Sequence, residues 1–355
     1  MAIANSNNYH DEQNKQNILK LRAVLDTLPS FCKPYFRSIA DYTSTRTRLA
    51  YAYDIRVFFE YLHENNAICA KMEIVDIPLS ILEQLTRMDI EEYLGYMSLY
   101  QKDGRDVSNT ERGKARKLSA LRSFYNYFYQ HEIVKNNPAS LVPTPKLHEK
   151  AIVRLEPNEV AILLNQVEDG TKLTKKQLDY PKKTCIRDVA LLTLLLGTGI
   201  RVSECVGLDI KDINFDVCGI KIRRKGGYDA VVYFGPEVED ALLDYLEQRD
   251  HIIPQEGHEE ALFLSLQNRR ITVRAVENLV KKYASRVTTL KKITPHKLRS
   301  TYGTNLYRES GDIYLVADVL GHKDVNTTRK HYAAQADERR RRAPSYVQLR
   351  EPKDE

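Results

Sequence analysis

Six polar residues spread over the C-terminal half of this chain could do chemistry together: Arg201, Lys225, His296, Arg299, His322 and Tyr332. The two arginines bring planar, permanently charged forks that suit bidentate contact with phosphate oxygens. Two such forks answer the charge that gathers on the equatorial oxygens of a phosphoryl group in transfer. Tyr332 then stands as the nucleophile. Its phenol has a free pKa of about 10, so attack near neutral pH needs a base and a positive field, which the histidines and arginines supply. The sequence has no carboxylate cluster for Mg²⁺ and no Gly-rich phosphate loop ending in Lys-Ser/Thr, so no metal, ATP or other cofactor is expected. A covalent phosphotyrosine would conserve the bond energy without them.

The strings around these residues say how they are held. Gly226-Gly227 lies between two β-branched runs, Gly219 to Arg223 and Ala230 to Phe234, and reads as a hairpin turn. Lys225 would sit at or beside its tip, where it can reach a leaving oxygen with a proton; an exposed, solubilising turn lysine is the plainer alternative. Thr294-Pro295 reads as an N-cap followed by proline at the first helical position. His296 and Arg299, three apart, then share a face near free backbone N–H groups that favour an anion. Arg201 and Glu204 repeat that spacing after the Gly197-Thr198-Gly199 turn. Glu204 either orients Arg201 or is an ordinary surface acid, and spacing alone leaves the two readings level. His331 reads as a neighbour of Tyr332 without catalytic duty, and Arg339 to Arg342 as a basic tail.

The elements that must position this set follow from hydrophobic period. Residues 1 to 17 are polar and read as a frayed terminus. Beyond them, apolar stripes predict helices from Ile18 to Leu28, Thr43 to His63, Asp89 to Tyr100 and Asn109 to Gln130, an all-helical bundle over 18–135. The last of these opens with Arg112, Lys114, Arg116, Lys117 and Arg122. Cations there oppose the helix dipole, a local cost that a DNA backbone along that end would explain; a solvated basic face is the bland alternative. Arg223 and Arg224, beside Lys225, are further candidates for backbone phosphates. A proline-bearing stretch, 136–157, reads as a linker. Residues 158–340 then hold a first helix from Pro157, a Lys-rich loop at 170–184, an apolar helix from Cys185 to Leu196, the hairpin, and helices from Glu237 onward, with 341–355 as a tail.

Composition narrows the class. The 355 residues suit two domains, and 42% hydrophobic with 29% charged residues is the balance of a folded chain. A formal charge of +6 is a mild bias, so placement of cations matters more than their number. The longest apolar run is too short to span a bilayer and no signal pattern precedes it, which points to a cytoplasmic protein without a membrane partner. The cysteines, Cys32, Cys69, Cys185, Cys205 and Cys218, form no C-x-x-C pair and read as buried, reduced thiols.

The ordered set Arg201, Lys225, His296, Arg299, His322 and Tyr332 resembles the signature of the tyrosine recombinases, or phage-type integrases. The strings Thr198-Gly199-Ile200-Arg201-Val202-Ser203-Glu204, His296-Lys297-Leu298-Arg299-Ser300-Thr301 and Leu320-Gly321-His322-Lys323-Asp324 are similar to the Xer branch. The length, the Lys-rich segment at 170–184 and the run Leu264 to Asn278 look most like the single-recombinase XerS type. The resemblance implies a mainly α fold with a small β-sheet. An N-terminal helical, SAM-like core-binding domain and a C-terminal catalytic domain would form a C-shaped clamp on double-stranded DNA. It implies that Arg201, Arg299, His296 and His322 activate the scissile phosphate, that Lys225 protonates the departing 5′-hydroxyl, that Tyr332 forms a 3′-phosphotyrosyl bond, and that Glu204 supports the site. It further implies a short inverted-repeat site of dif type, a homotetrameric synapse in which the tail, with Tyr346, Val347 and Leu349, docks into a neighbour, and a translocase such as FtsK as partner. Integration and excision of a mobile element shares the chemistry. A non-catalytic architectural DNA-binding protein is the alternative of another class, and it predicts that Tyr332→Phe is silent.

Overall fold

A computed structural model of the chain describes residues 9–102, 104–146, 153–169, 181–224, 226–322 and 324–325. They fall into two compact units, divided after Lys150. Among the described residues no helix is long and apolar enough to cross a membrane.

The first unit contains α1 (Tyr9–Leu25), α2 (Cys32–Ser38), α3 (Thr45–Asn65), α4 (Ile81–Gln84), α5 (Arg87–Tyr96), the strands β1 (Tyr100–Lys102) and β2 (Arg105–Val107), α6 (Glu111–Gln130) and α7 (Pro138–Leu141). Its core is aromatic. Phe31, Tyr35, Phe59, Phe124 and Phe128 meet largely edge to face, with the Phe124 ring centroid 5.1 Å from Tyr35 and 5.0 Å from Phe128, the geometry in which ring edges meet ring faces favourably.

Several expectations are corrected here. Helix α1 starts at Tyr9 and not at Ile18, because Asp11 and Glu12 suit its N-terminal dipole and Asn14 and Asn17 both bond Thr45 Oγ1 on α3, at 2.7 and 3.3 Å. The bundle is not all-helical: β1 and β2 form an antiparallel hairpin pairing Tyr100 with Val107. The Asp103-Gly104 dipeptide is its sequence signal, and Gly104 takes a φ of +70°. The segment read as linker holds α7, started by the Asn137 side chain accepting from Ser140 N–H at 3.1 Å.

The second unit is built on α9 (Pro181–Thr198), whose Ala190, Leu191, Leu192, Leu194 and Leu195 are buried. Around it pack α8 (Pro157–Asp169), α11 (Pro236–Asp250) and α13 (Pro295–Ser310). Between them in sequence come α10 (Val202–Gly207), the sheet of β3 (Ile213–Asn214), β4 (Gly219–Arg223) and β5 (Asp229–Tyr233), and α12 (Val273–Val287); α14 (Ile313–Leu320) follows α13. The sheet is antiparallel in the order β3-β4-β5, with Ile220 opposite Val232 and Ile222 opposite Ala230. The Lys-rich loop ends earlier than its expected 184, since α9 already starts at Pro181; residues 170–180 lie outside the described set. Between α11 and α12 the chain is not helical, and the bridges Asp209 to Ala261 and Leu264 to Arg270 order it instead. Of the five cysteines, Cys185 and Cys218 are only partly buried, whereas Cys32, Cys69 and Cys205 are buried, and burial pushes all three thiols up.

One buried ion pair holds the first unit. Asp54, 1% exposed, accepts from Lys117 Nζ at 3.0 Å and Arg116 Nη2 at 2.8 Å, and burial outweighs both cations to hold its carboxyl above the usual range. Removing one partner of such a pair strands a buried charge, while removing both need not. Asp54→Ala is therefore expected to cost about 3–5 kcal/mol in urea unfolding, and Asp54→Leu combined with Lys117→Met to recover most of it. A single mutant close to wild type would show that Lys117 finds water without its partner.

Candidate active site

The site in the second unit is organised by the C-terminal end of α14. This helix starts with the Asp312 side chain accepting from the N–H groups of Tyr314 and Leu315. It ends at Gly321, whose φ of +60° is left-handed. There the Gly321 N–H donates to Asp318 O and the His322 N–H to Ala317 O, both at 2.8 Å, the paired closure that commonly ends helices. Three further carbonyls face inward and arginines meet them. Arg224 donates Nη2 to Val319 O at 2.7 Å and Nη1 to Leu320 O at 2.9 Å. Arg299 donates Nη2 to the same Leu320 O and Nη1 to Gly199 O, the latter at 2.7 Å. Arg201 reaches Gly321 O with Nη2 at 3.5 Å.

Each arginine is delivered by its own local device. Arg201 stands at the N-cap of α10, where the buried Glu204 carboxylate accepts from the Arg201 backbone N–H at 2.7 Å and from Nη1 at 2.8 Å. Glu204 is thus the orienting acid and not a surface one. Gly199 precedes it with a φ of +63°, and a Cβ there would lie 2.4 Å from Tyr302 Cδ1 and 3.0 Å from Leu320 Cδ2. Arg299 lies one turn into α13, which Thr294 caps in extended backbone with Pro295 at the first position, as expected, though the Thr294 side chain makes no capping bond. His296 is exposed in that first turn, three residues before Arg299, and His322 is half-buried beyond Gly321. A groove of about 430 Å³ runs beside this cluster, lined by Arg224, Tyr228, Tyr233, Tyr302, Gly321 and His322 among others. Burial pushes the Tyr302 phenol up, which disfavours its ionisation.

Of the expected catalytic set, Arg201 and Arg299 and the segment carrying His322 therefore come together, with His296 on the same helix as Arg299. Lys225 and Tyr332 lie outside the described residues, as do His331, Arg339 to Arg342 and the tail. No grouping of three His, Cys, Asp or Glu side chains suited to a metal occurs among the described residues.

The expected DNA-contacting set needs correction in three places. Lys117 is 5% exposed and spent on Asp54. Arg122 staples the stretch after α7, donating Nε to Ala139 O at 3.1 Å, Nη1 to Thr144 Oγ1 at 2.8 Å and Nη2 to Val142 O. Arg224 is 5% exposed and turned onto α14. Arg112, Arg116 and Arg223 are exposed, and Lys114 is half-buried with Nζ 2.5 Å from Ser98 Oγ. The inward course of Arg224 had a signal: Ile220 and Ile222 on β4 are buried while Lys221 and Arg223 are exposed, and the period of two puts residue 224 on the inner side.

Comparison with known proteins places the chain in a family. Residues 154–339 match the model of the phage integrase family, and residues 35–132 match that of the phage integrase N-terminal SAM-like domain. The chain is 34% identical over 297 residues to tyrosine recombinase XerC of Caldanaerobacter subterraneus subsp. tengcongensis, covering 81% of this chain and 77% of that one. It is 28% identical to tyrosine recombinase XerD of Staphylococcus epidermidis, covering 81% and 87%. In fold it is similar to the XerH site-specific recombinase bound to a palindromic difH substrate, with TM-score 0.64 and 19% identity over 86% of this chain and 80% of that one. The Tn1549 transposon integrase with circular intermediate DNA gives TM-score 0.60 and 21% identity over 86% and 98%.

The close approach at Gly199 makes it a sensitive probe of the cluster. Gly199→Ala is expected to lower stability by at least about 1–2 kcal/mol from the left-handed backbone alone, and further from the contact with Tyr302, read as a lower thermal midpoint. A midpoint equal to that of wild type would mean that the turn can flip away from the left-handed region and that Arg201 is not held by it.

Proposed function

Because this chain belongs to the phage integrase family of tyrosine recombinases, a family of DNA-cleaving and rejoining enzymes, we propose that it exchanges strands at a short inverted-repeat site and resolves chromosome dimers at a dif-like sequence. The observation that carries this reading is the convergence of Arg201 and Arg299 on the Leu320 to His322 segment. It gathers two guanidinium groups at the helix end that precedes His322, and paired guanidinium forks suit the oxygens of a phosphodiester. The XerC and XerD names of the relatives support the Xer branch. The XerS type rests on the Lys-rich segment at 170–184 and the run Leu264 to Asn278.

In this reading Arg201, His296, Arg299 and His322 bind and polarise the scissile phosphate, with Glu204 fixing Arg201. The Tyr332 phenol gives its proton to a histidine of the site as its oxygen bonds to phosphorus and the bond from phosphorus to the 5′-oxygen breaks. Lys225 gives its proton to that departing oxygen and becomes neutral. A 5′-hydroxyl of the second strand then attacks the phosphotyrosine, giving its proton back to Lys225, while the histidine returns its proton to the Tyr332 oxygen as that bond to phosphorus breaks, so protons and phosphodiesters are both conserved. Arg112, Lys114, Arg116 and Arg223 are the remaining candidates for phosphate contacts. We assign DNA binding to 18–135, a linker to 136–157 and catalysis to 158–340. The tail, 341–355, docks on a neighbour in a homotetrameric synapse, with a translocase such as FtsK as its activator.

A nicked suicide substrate carrying a dif-like inverted repeat should trap a covalent adduct on a denaturing gel with the wild type and none with Tyr332→Phe, while both shift the DNA equally. Binding with no adduct from either protein would sink the enzymatic reading in favour of an architectural one. Lys225→Ala should slow cleavage by roughly 10²–10⁴-fold, the range for lost proton transfer. A 5′-bridging sulfur, which leaves without a proton, should restore most of that rate; no restoration would reduce Lys225 to a phosphate contact.

A further inference from the structure

Arg224 stands immediately before Lys225, where its sequence makes it a candidate for a backbone phosphate. Its surroundings give it a different task. The guanidinium is 5% exposed, and both terminal nitrogens are committed to consecutive carbonyls at the end of α14, Val319 O at 2.7 Å and Leu320 O at 2.9 Å. Its backbone closes the turn: the Arg224 N–H donates to Tyr228 O at 2.9 Å, and Arg224 O accepts from the Gly227 N–H at 3.0 Å. The residue is therefore the first position after β4, paired across the turn, and also the clasp between that strand and α14. Gly321 lies flat against it, since a Cβ at that position would be 2.6 Å from Arg224 Nη1 and 2.8 Å from Cζ. Leu320 O also takes Arg299 Nη2, so the same carbonyl registers the hairpin base against a second arginine of the site.

A cation with both ends of its fork occupied by backbone carbonyls at a helix C-terminus is electrostatically satisfied there. Those two bonds fix its guanidinium against α14, so its place is set by the helix end and not by a ligand. Its permanent charge and rigid fork suit a fixed distance between two backbones better than a flexible, single-point lysine would.

We infer that Arg224 is a positioning residue for strand cleavage, clamping the base of the β4–β5 hairpin to the end of α14 so that the proton donor next to it in sequence meets the phosphate held beside His322. This rests on the proposed role of Lys225 as general acid. A purely structural residue would slow every step alike, and a phosphate contact would weaken DNA binding. A residue that positions the proton donor slows only the step that needs the proton.

The test compares full-length Arg224→Ala and Arg224→Lys with wild type, Lys225→Ala and Tyr332→Phe on suicide substrates whose scissile 5′-atom is oxygen or sulfur. Binding is measured at two salt concentrations. We expect both Arg224 variants to bind DNA with the salt dependence of wild type, to form adduct at least about tenfold more slowly on oxygen, and to regain most of the rate on sulfur, the pattern of Lys225→Ala. Equal slowing on both substrates overturns the inference, as does a wild-type rate on oxygen. So does weaker binding with a salt slope lower by about one, the mark of a lost phosphate contact. If Arg224→Ala fails to unfold cooperatively, Arg224→Lys decides, because it keeps the buried charge but lacks the rigid fork that fixes the spacing of strand and helix. Wild type that binds the DNA without forming adduct on either substrate removes the proposed function, a result separable from failure of Arg224 alone.

Discussion

The open end of one short helix sets the terms for the rest of the site. An α-helix leaves its last carbonyls without intrahelical donors, and in a buried setting each must find one. At the end of α14 the closure through Gly321 and His322 satisfies two carbonyls, and the guanidinium groups of Arg224, Arg299 and Arg201 meet the next three. The demand of the backbone for donors thereby gathers cations from β4, α13 and α10. The negative end of the helix makes it favourable for like charges to lie so near one another.

That arrangement explains why Gly199 and Gly321 carry left-handed φ values at the two ends of the cluster. Gly199 lets the chain leave α9 with its carbonyl facing Arg299 and its Cα against Tyr302. Gly321 allows α14 to stop with the Arg224 fork against it. Neither could bear a side chain without moving an arginine or an aromatic ring. Glu204 complements the pair by holding Arg201 through both backbone and side chain, so that the fork is fixed at its root.

Much of this could be read from residue order. The strings around Arg201, Arg299 and His322 named the residues that the fold brings together, since each string encodes its own turn or cap. The Thr294-Pro295 start of α13 and the Gly-Gly hairpin were equally local. Features decided by packing were not legible. Lys117, Arg116 and Arg122 look alike in a basic run, yet one is buried on Asp54, one is half solvent-facing beside it, and one is tied to the carbonyls after α7. Burial and partner distinguish them, and the partners lie 63, 62 and 17 residues away along the chain. The polar start of α1 is not legible for the same reason: its support comes from Thr45 on α3, which no local period reports.

The double occupancy of Leu320 O has a consequence for how this chain can vary over time. Two arginines from different elements share one acceptor, so the cost of changing either depends on whether the other is in place. A lineage that lost Arg224 would leave Arg299 with the carbonyl to itself and free to settle elsewhere, and the original arginine restored later would meet a different neighbour. The stability costs of substitutions at 224 and 299 should therefore not add: either arginine alone still satisfies Leu320 O, and only the loss of both leaves that buried carbonyl without a donor, an epistatic pairing imposed by a single oxygen atom.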